Sequence, residues 1–386
     1  MAGQMTTAQE AGRPQPQTTI ESGGVFIRNA QAGRAPQYNA TGLAFGSTLT
    51  QPLVARPGYF RNFRVTTTLT TAGTITSGTL AADAPYNVTS LIQMKDAFGT
   101  PIIVGDGYSV SNLIPLFGGA FGLNNGTNSA AALPSYSAIS ASTGAGTFSY
   151  SLPLEFSKAY GVLSAANASL LPTLQFNFNS ATSVFGSGSS GTYPTIGQQV
   201  DSDFYWLPES MGVSNEPPGL GTTRQWQVVQ ANPTVPSGQS ARIQFPRLGG
   251  YLTDVIAIAR DSTGARTDGY WPNRLQWYVD GVPLIDTTMP ELYDDMAIQY
   301  GFNSAVSSFA TRPTGVISFC RRTALAQQSL GLLDTGETYL STNPATLLEL
   351  NFAPAGSGSN SPATISCLVG QVIPTGSLIT GLPEVG

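Results

Sequence analysis

The sequence predicts an all-β chain: two similar antiparallel halves in tandem, with short helices only. Three observations lead there: an internal echo kept in order, an abundance of turn residues, and very few charges.

The echo centres on Arg247 to Pro283, answered earlier by Arg56 to Pro101. The later copy runs Arg247-Leu248-Gly249-Gly250-Tyr251-Leu252, then Val255 to Ala259, then Leu275-Gln276-Trp277-Tyr278-Val279-Asp280-Gly281-Val282-Pro283. The earlier runs Arg56-Pro57-Gly58-Tyr59-Phe60, then Phe63 to Leu69, then Leu91-Ile92-Gln93-Met94-Lys95-Asp96-Ala97-Phe98-Gly99-Thr100-Pro101. Each reads as strand, long turn, strand, and a tight Asp/Gly/Pro turn into another strand. Further along, Thr147 to Leu152 answers Val316 to Arg321, Gly161-Val162-Leu163 answers Gly331-Leu332-Leu333, and Leu174 to Phe178 answers Leu348 to Phe352. The offset is 192 at Tyr59 and Tyr251, 184 at Asp96 and Asp280, 170 at Gly161 and Gly331, and 174 at Phe178 and Phe352, so the copies differ in loop length.

With 386 residues the chain can bury a large core. Gly contributes 43 residues and Pro 27, which implies many short strands joined by turns. Only 10% of residues are charged, against about 25% in typical soluble proteins. The surface is therefore covered by uncharged polar groups or by other copies of the protein. Net charge is −5, Lys occurs only at Lys95 and Lys158, and the first 34 residues net about +1, so direct nucleic-acid binding is not expected. No secretory leader pattern is present, and the most apolar stretch, Ser111 to Leu123, is too short to cross a bilayer. Cys320 and Cys367 lack disulfide-framework or metal-site spacing and read as buried thiols.

Taken in order, residues 1–24 have no periodicity and read as a mobile N-terminal arm. Tyr38 to Leu53 reads as one strand and Tyr59 to Leu69 as a half-buried strand; Thr70 to Pro85 is a long polar turn. Leu116 to Thr147 is rich in Gly, Ala and Ser and reads as a long surface loop at one end of the sandwich. Ser157 to Leu163 is predicted to form a two-turn helix capped by Ser157. Strand Leu174 to Phe178, a Gly/Ser loop from Ser183 to Gly191 and strand Val200 to Leu207 close the first half. Pro208 to Gly221 has a connector's composition. The second half opens with strands Arg224 to Gln230 and Ala241 to Phe245, ends with Thr364 to Ile373, and leaves a tail whose only charge is Glu384.

The chain has no histidine, which removes Ser/His/Asp and Cys/His nucleophile activation and His metal ligation together. Gly186-Ser187-Gly188-Ser189-Ser190-Gly191 fits G-x-G-x-x-G, yet Thr192-Tyr193-Pro194 follows where a dinucleotide site needs a helix, so it reads as a flexible loop. Glu291, Asp294 and Asp295, or Asp201 with Asp203, could pair as carboxylates for glycoside hydrolysis or hold a cation at a subunit contact; solvated loop or strand-end positions are the better reading. Trp206, Trp226, Trp271 and Trp277 could stack on sugars, but three lie in strand-like runs that favour packing. Asn39, Asn87, Asn125 and Asn167 begin glycosylation triplets that require secretion to matter. The expectation is no catalytic residue, no cofactor and no metal.

Two stretches carry a family resemblance. Leu152-Pro153-Leu154-Glu155-Phe156-Ser157 runs into Gly161-Val162-Leu163-Ser164-Ala165-Ala166-Asn167 and then Leu174 to Phe178; Arg224 to Ala259 gives a strand, a Pro-containing turn, a strand and a Gly-Tyr-Leu strand start. In these patterns the chain resembles the double jelly-roll major capsid proteins of tailless icosahedral (tectivirus-like) bacteriophages, the lineage of adenovirus hexon, over roughly residues 40–372. The resemblance implies two eight-stranded jelly rolls: residues 1–24 the arm, 25–207 the first roll, 208–222 the connector, 223–373 the second roll, and 374–386 the tail. It further implies a homotrimer with a pseudo-hexagonal outline that tiles an icosahedral virion shell, partnered by neighbouring trimers, vertex (penton) and minor capsid proteins and an internal membrane, and made soluble in the host cytoplasm. The sequence departs from the family in its N-terminal arm and in the Leu116 to Thr147 segment. The alternative is a carbohydrate-binding viral spike or a jelly-roll carbohydrate-active protein.

Overall fold

The computed structural model describes residues 26–27, 29–70, 73–81, 83–117, 139–156, 159–165, 169, 171–206, 217, 223–229, 234–235, 241–245, 250–300, 302, 312–320, 340–342, 347–352 and 363–373. The predicted arm, the tail, the connector apart from Pro217, most of the Leu116 to Thr147 loop and the Gly331 to Leu333 link lie outside these residues.

The first half contributes β1 (Gln31–Leu43), β2 (Thr48–Pro52), β3 (Tyr59–Thr70), β4 (Ile75–Thr76), β5 (Thr89–Lys95), β6 (Pro101–Gly105), β7 (Gly146–Pro153), β8 (Leu163–Ser164), β9 (Thr173–Phe178), β10 (Ser190–Gly191) and β11 (Thr195–Trp206). The second contributes β12 (Thr223–Val229), β13 (Thr234–Val235), β14 (Ala241–Gln244), β15 (Tyr251–Arg260), β16 (Arg274–Val279), β17 (Val282–Thr288), β18 (Val316–Cys320), β19 (Leu340–Ser341), β20 (Leu348–Phe352) and β21 (Ala363–Ile373). Helices α1 (Ile114–Phe117), α2 (Ala181–Phe185) and α3 (Met289–Tyr300) are accompanied by a 3-10 turn Tyr86–Val88 and by a π-helical turn Ser109–Leu113 leading into α1.

In each half, four strands face four. The orders β1-β11-β3-β7 and β2-β9-β5-β6 in the first half recur as β12-β21-β15-β18 and β14-β20-β16-β17 in the second. Alternation explains the faces: Leu174, Phe176 and Phe178 point inward from β9, and Leu348 and Leu350 do so from β20. A fully buried Phe176 or Leu350 side chain stabilises the fold by about 1.5–3 kcal/mol.

Register makes the repeat specific. Tyr59 pairs with Tyr205 and Tyr251 with Val372, and each strand then carries one extra residue: Arg61 beside the Asp203/Phe204 shift, Thr253 beside the Leu252/Asp254 shift. The bulge falls at equivalent positions, which aligns Asn62 with Asp254 and Asp203 with Gly370. The carboxylate has changed strands between the halves. Asp203 on β11 accepts from Arg34 Nε at 2.6 Å and Asn62 Nδ2 at 3.0 Å. Asp254 on β15 accepts from Arg224 Nη2 and from Thr253 Oγ1, and a Cβ on Gly370 would stand 3.0 Å from its Oδ2.

Several expectations are corrected. Tyr38 to Leu53 is not one strand but parts of β1 and β2, which lie in opposite sheets on either side of a turn at residues 44–47. Ala159 to Leu163 is not helical: Ala159 and Gly161 have φ of 61° and 86°, and Glu155 Oε1 accepts from the Ala159 amide at 2.8 Å, so the chain turns there into β8. The partner of β8 in the repeat is β19, since Leu163 and Ser164 pair with Phe60 and Tyr59 as Leu340 and Ser341 pair with Leu252 and Tyr251. The polar turn from Thr70 and the Gly/Ser loop are held together, β4 pairing with β10.

Candidate assembly surface

The sequence-predicted chemical groups do not converge. Glu291, Asp294 and Asp295 lie on α3 instead of on a loop, exposed to solvent. Glu291 closes a capping box: its Oε2 accepts from the Thr288 amide at 2.9 Å, which with the Thr287 and Thr288 hydroxyls holds its carboxyl below the usual range. Thr288-Met289-Pro290-Glu291 is the sequence signal that marks this helix start. Asp203 is occupied as described, and Asp201 accepts from Gln199 Nε2 at 3.1 Å. Among the described residues no group of three or more Cys, Asp and Glu side chains is placed to hold a metal ion.

Trp226, Trp271 and Trp277 are buried, and Trp206 alone of the four is exposed, so they form no shared stacking platform. The G-x-G-x-x-G stretch follows α2 and ends in β10, with no helix after it. Asn39 lies on β1 and Asn87 in the helical turn Tyr86–Val88; Asn125 and Asn167 are outside the described residues. Cys367 is buried in β21, and burial pushes its thiol up to about 12. The Cys320 side chain is outside the described residues.

What the fold does build is a seam between the halves. β12 runs parallel to β6, Trp226 opposite Ile103 and Gln227 opposite Val104, and this joins the strands of both halves into one ten-stranded sheet. Because both strands start at the same end of their roll, the parallel pairing stands the two rolls side by side in the same sense. Trp226 and Ile103 are fully buried there, and a Cβ on Gly105 would stand 2.9 Å from Val228. At one end, Phe117 of α1 meets Tyr300 of α3 edge-on, ring centroids 4.7 Å apart. Beside them Asp83 of the first roll takes Arg260 and Arg266 of the second, the latter at 2.6 Å, and both guanidiniums lie over the Tyr108 ring. At the other end, Phe156 of the first roll packs with Tyr251 and Val372 of the second.

Among the described residues, the same strand types on the outer sides of the chain have no neighbouring strand beyond them. β17 corresponds to β6, yet Val282 is 58% exposed where Ile103 is 0%, and Leu284 is also exposed. β1 corresponds to β12, yet Gln31, Ala32, Arg34 and Pro36 face solvent. Among the described residues, the other large exposed apolar side chains are Val54, Phe98, Trp206 and Leu347, at the end carrying the β2–β3, β5–β6 and β7–β9 turns and their counterparts, and Leu80, at the opposite end.

No protein-family model and no curated protein matches this chain. Solved structures do. A crystal structure of the STIV MCP is 14% identical, covers 91% of this chain and 100% of its own, and has a TM-score of 0.60. The atomic structure of Sulfolobus Turreted Icosahedral Virus gives 14% identity, 92% and 94% coverage and a TM-score of 0.60. The major capsid protein P2 of bacteriophage PM2 gives 10%, 90% and 99%, and 0.51. With its two sets of four facing four strands in the same order, the chain has the double jelly-roll fold shared by these major capsid proteins.

Proposed function

We propose that this protein is a structural major capsid protein, associating as homotrimers that tile an icosahedral virion shell. One observation carries the reading: among the described residues the two rolls join through one edge-to-edge seam, and the complementary edges of that seam, β17 and β1, have no neighbouring strand on their outer sides. A head-to-tail interface of this kind either closes into a ring or grows into a filament, and three copies supply a six-roll ring with a pseudo-hexagonal outline. The low charge content suits a surface covered by copies of itself.

Within this proposal the rolls span 25–207 and 223–373, joined by 208–222, with 1–24 as the N-terminal arm and 374–386 as the C-terminal tail. The end carrying Phe98 and Trp206 faces inward, toward minor capsid proteins or a membrane layer, and the opposite end, bearing the loop after α1, faces out. Vertex proteins occupy the five-fold positions, the genome stays out of contact, and the chain performs no catalysis. A carbohydrate-binding role has weaker support, since three of the four tryptophans are buried.

The test is native mass spectrometry of the purified chain with negative-stain microscopy. Trimers that tile into sheets or shells are expected. Monomers at micromolar concentration that bind oligosaccharides would overturn the reading.

A further inference from the structure

We propose that β17 of one copy takes β1 of a second copy as its parallel neighbour, reproducing between chains the seam that β6 and β12 make within one. The inference rests on the capsid reading above and deepens it, since it names the strands and residues through which the copies meet.

The argument starts from register. Tyr59 and Tyr251 are equivalent, and so are their partners Tyr205 and Val372, so Asp203 is equivalent to Gly370 across the shared bulge. On the far side of those strands Asp203 faces Arg34 and Gly370 faces Trp226. Arg34 therefore holds in β1 the place of Trp226 in β12, and Ala35 that of Gln227. In the other sheet Phe176 pairs with Ile92 and Leu350 with Trp277, which makes Met94 equivalent to Val279, one residue out of step with the Asp96 to Asp280 match read from the sequence, and their partners Ile103 and Val282 equivalent in turn. The internal pairs Trp226 to Ile103 and Gln227 to Val104 thus translate into Arg34 of one copy opposite Val282 of another, with Ala35 beside Pro283.

Exposure agrees at both strands. In the described structure β1 pairs on one side, with β11, and β17 on one side, with β16. Each keeps a row of backbone N–H and C=O groups on its open side, interrupted where Pro36 and Pro283 have no N–H and where the Pro36 carbonyl accepts from Arg56 Nη2. Val282 and Leu284 present apolar side chains along that row, where the equivalent Ile103 is sealed. The Arg34 guanidinium is drawn aside by Asp203 at 2.6 Å, which leaves its methylene stem for Val282. The pairing is heterologous: one chain offers β17 at one side and β1 at the other, so each copy satisfies two neighbours.

The test uses the full chain carrying C320S, with Ala35→Cys and Pro283→Cys together, the pair that the register sets side by side on one face; Cys367 is buried and stays out of the reaction. Mild oxidation is expected to give a covalent trimer on a non-reducing gel, and neither single variant alone should do so. Independently, Leu284→Lys on the wild-type chain is expected to reduce the mass in solution from trimer to monomer with an unchanged melting temperature. If the wild-type chain is a trimer, the double variant forms no cross-link and L284K stays trimeric, the proposed seam is wrong while the capsid reading stands. If the wild-type chain is monomeric at micromolar concentration, both fall. Should L284K fail to fold, the cross-link decides alone.

Discussion

The carbonyl oxygen of Tyr205 occupies the place that a Cβ on Gly58 would take, and the carbonyl oxygen of Val372 stands 2.6 Å from a Cβ built on Gly250. Tyr205 and Val372 are equivalent, so the Gly-Tyr pair that opens β3 and β15 has one cause in both rolls: the strand enters against the last turn of backbone in its neighbour. Gly58→Ala should destabilise the protein by at least about 1–3 kcal/mol, since Gly58 also has φ of 108°. Gly250→Ala should cost less. Urea midpoints of the two variants should fall in that order.

The Arg224–Asp254 pair is almost completely shielded from water. Asp254→Ala leaves the guanidinium buried without its counter-charge, a change that typically costs about 3–5 kcal/mol. Asp286→Ala, which removes the exposed partner of Arg274, should leave the melting temperature within error of wild type. Parallel thermal melts would compare them.

Acid should loosen the fold through two aspartates. Burial pushes Asp203 and Asp268 up, but hydrogen bonds and charge from Arg34 and Asn62 in one case, and from Arg312 and the Gly315 amide in the other, hold both below the ordinary value. A carboxyl depressed in the folded state contributes stability that is complete above its unfolded value of about 3.9 and is lost as pH falls through the folded value. With no histidine to titrate, melting temperature should be nearly flat from about pH 5.5 to 7 and drop below about pH 4. Asp203→Asn should shrink that drop.

Cys367 should be inert. Its raised thiol and complete burial predict no labelling by a thiol reagent in native C320S protein and full labelling after denaturation. Native labelling at the wild-type unfolding rate would still agree; faster labelling would not.

Much of the fold was legible because it is written in local pattern. Leu174-Gln175-Phe176-Asn177-Phe178 and Leu348-Glu349-Leu350-Asn351-Phe352 alternate as half-buried strands must, and Asp280-Gly281, with φ of 49° and 79°, is a tight hairpin turn in sequence and in structure. The start of α3 is legible too, in Thr288 and Glu291, since the same carboxylate that suits a charged site also suits a capping box. The Ser157 helix was a misreading, because Ala159 adopts a positive φ that Glu155 holds through its amide, a constraint with no local signature. The seam was illegible for a different reason. Parallel pairing of β6 with β12 joins distant stretches, and neither strand's own alternation records its neighbour.

The exchange of the carboxylate between strands has a consequence for how a chain with two similar halves reaches its native state. β11 and β21 pair across matching bulges, so β11 is the mispairing partner whose register fits the edge of β15. If β15 captured β11, Asp254 would face Asp203, placing one carboxylate against another where Asp254 now faces Gly370. The reciprocal error would set Asn62 opposite Gly370 and strand Arg224 without its aspartate. Both hybrids lose the Arg224–Asp254 ion pair of the correct arrangement, and one adds like-charge repulsion. A single residue's move from one strand to its neighbour thus labels each half as belonging to itself.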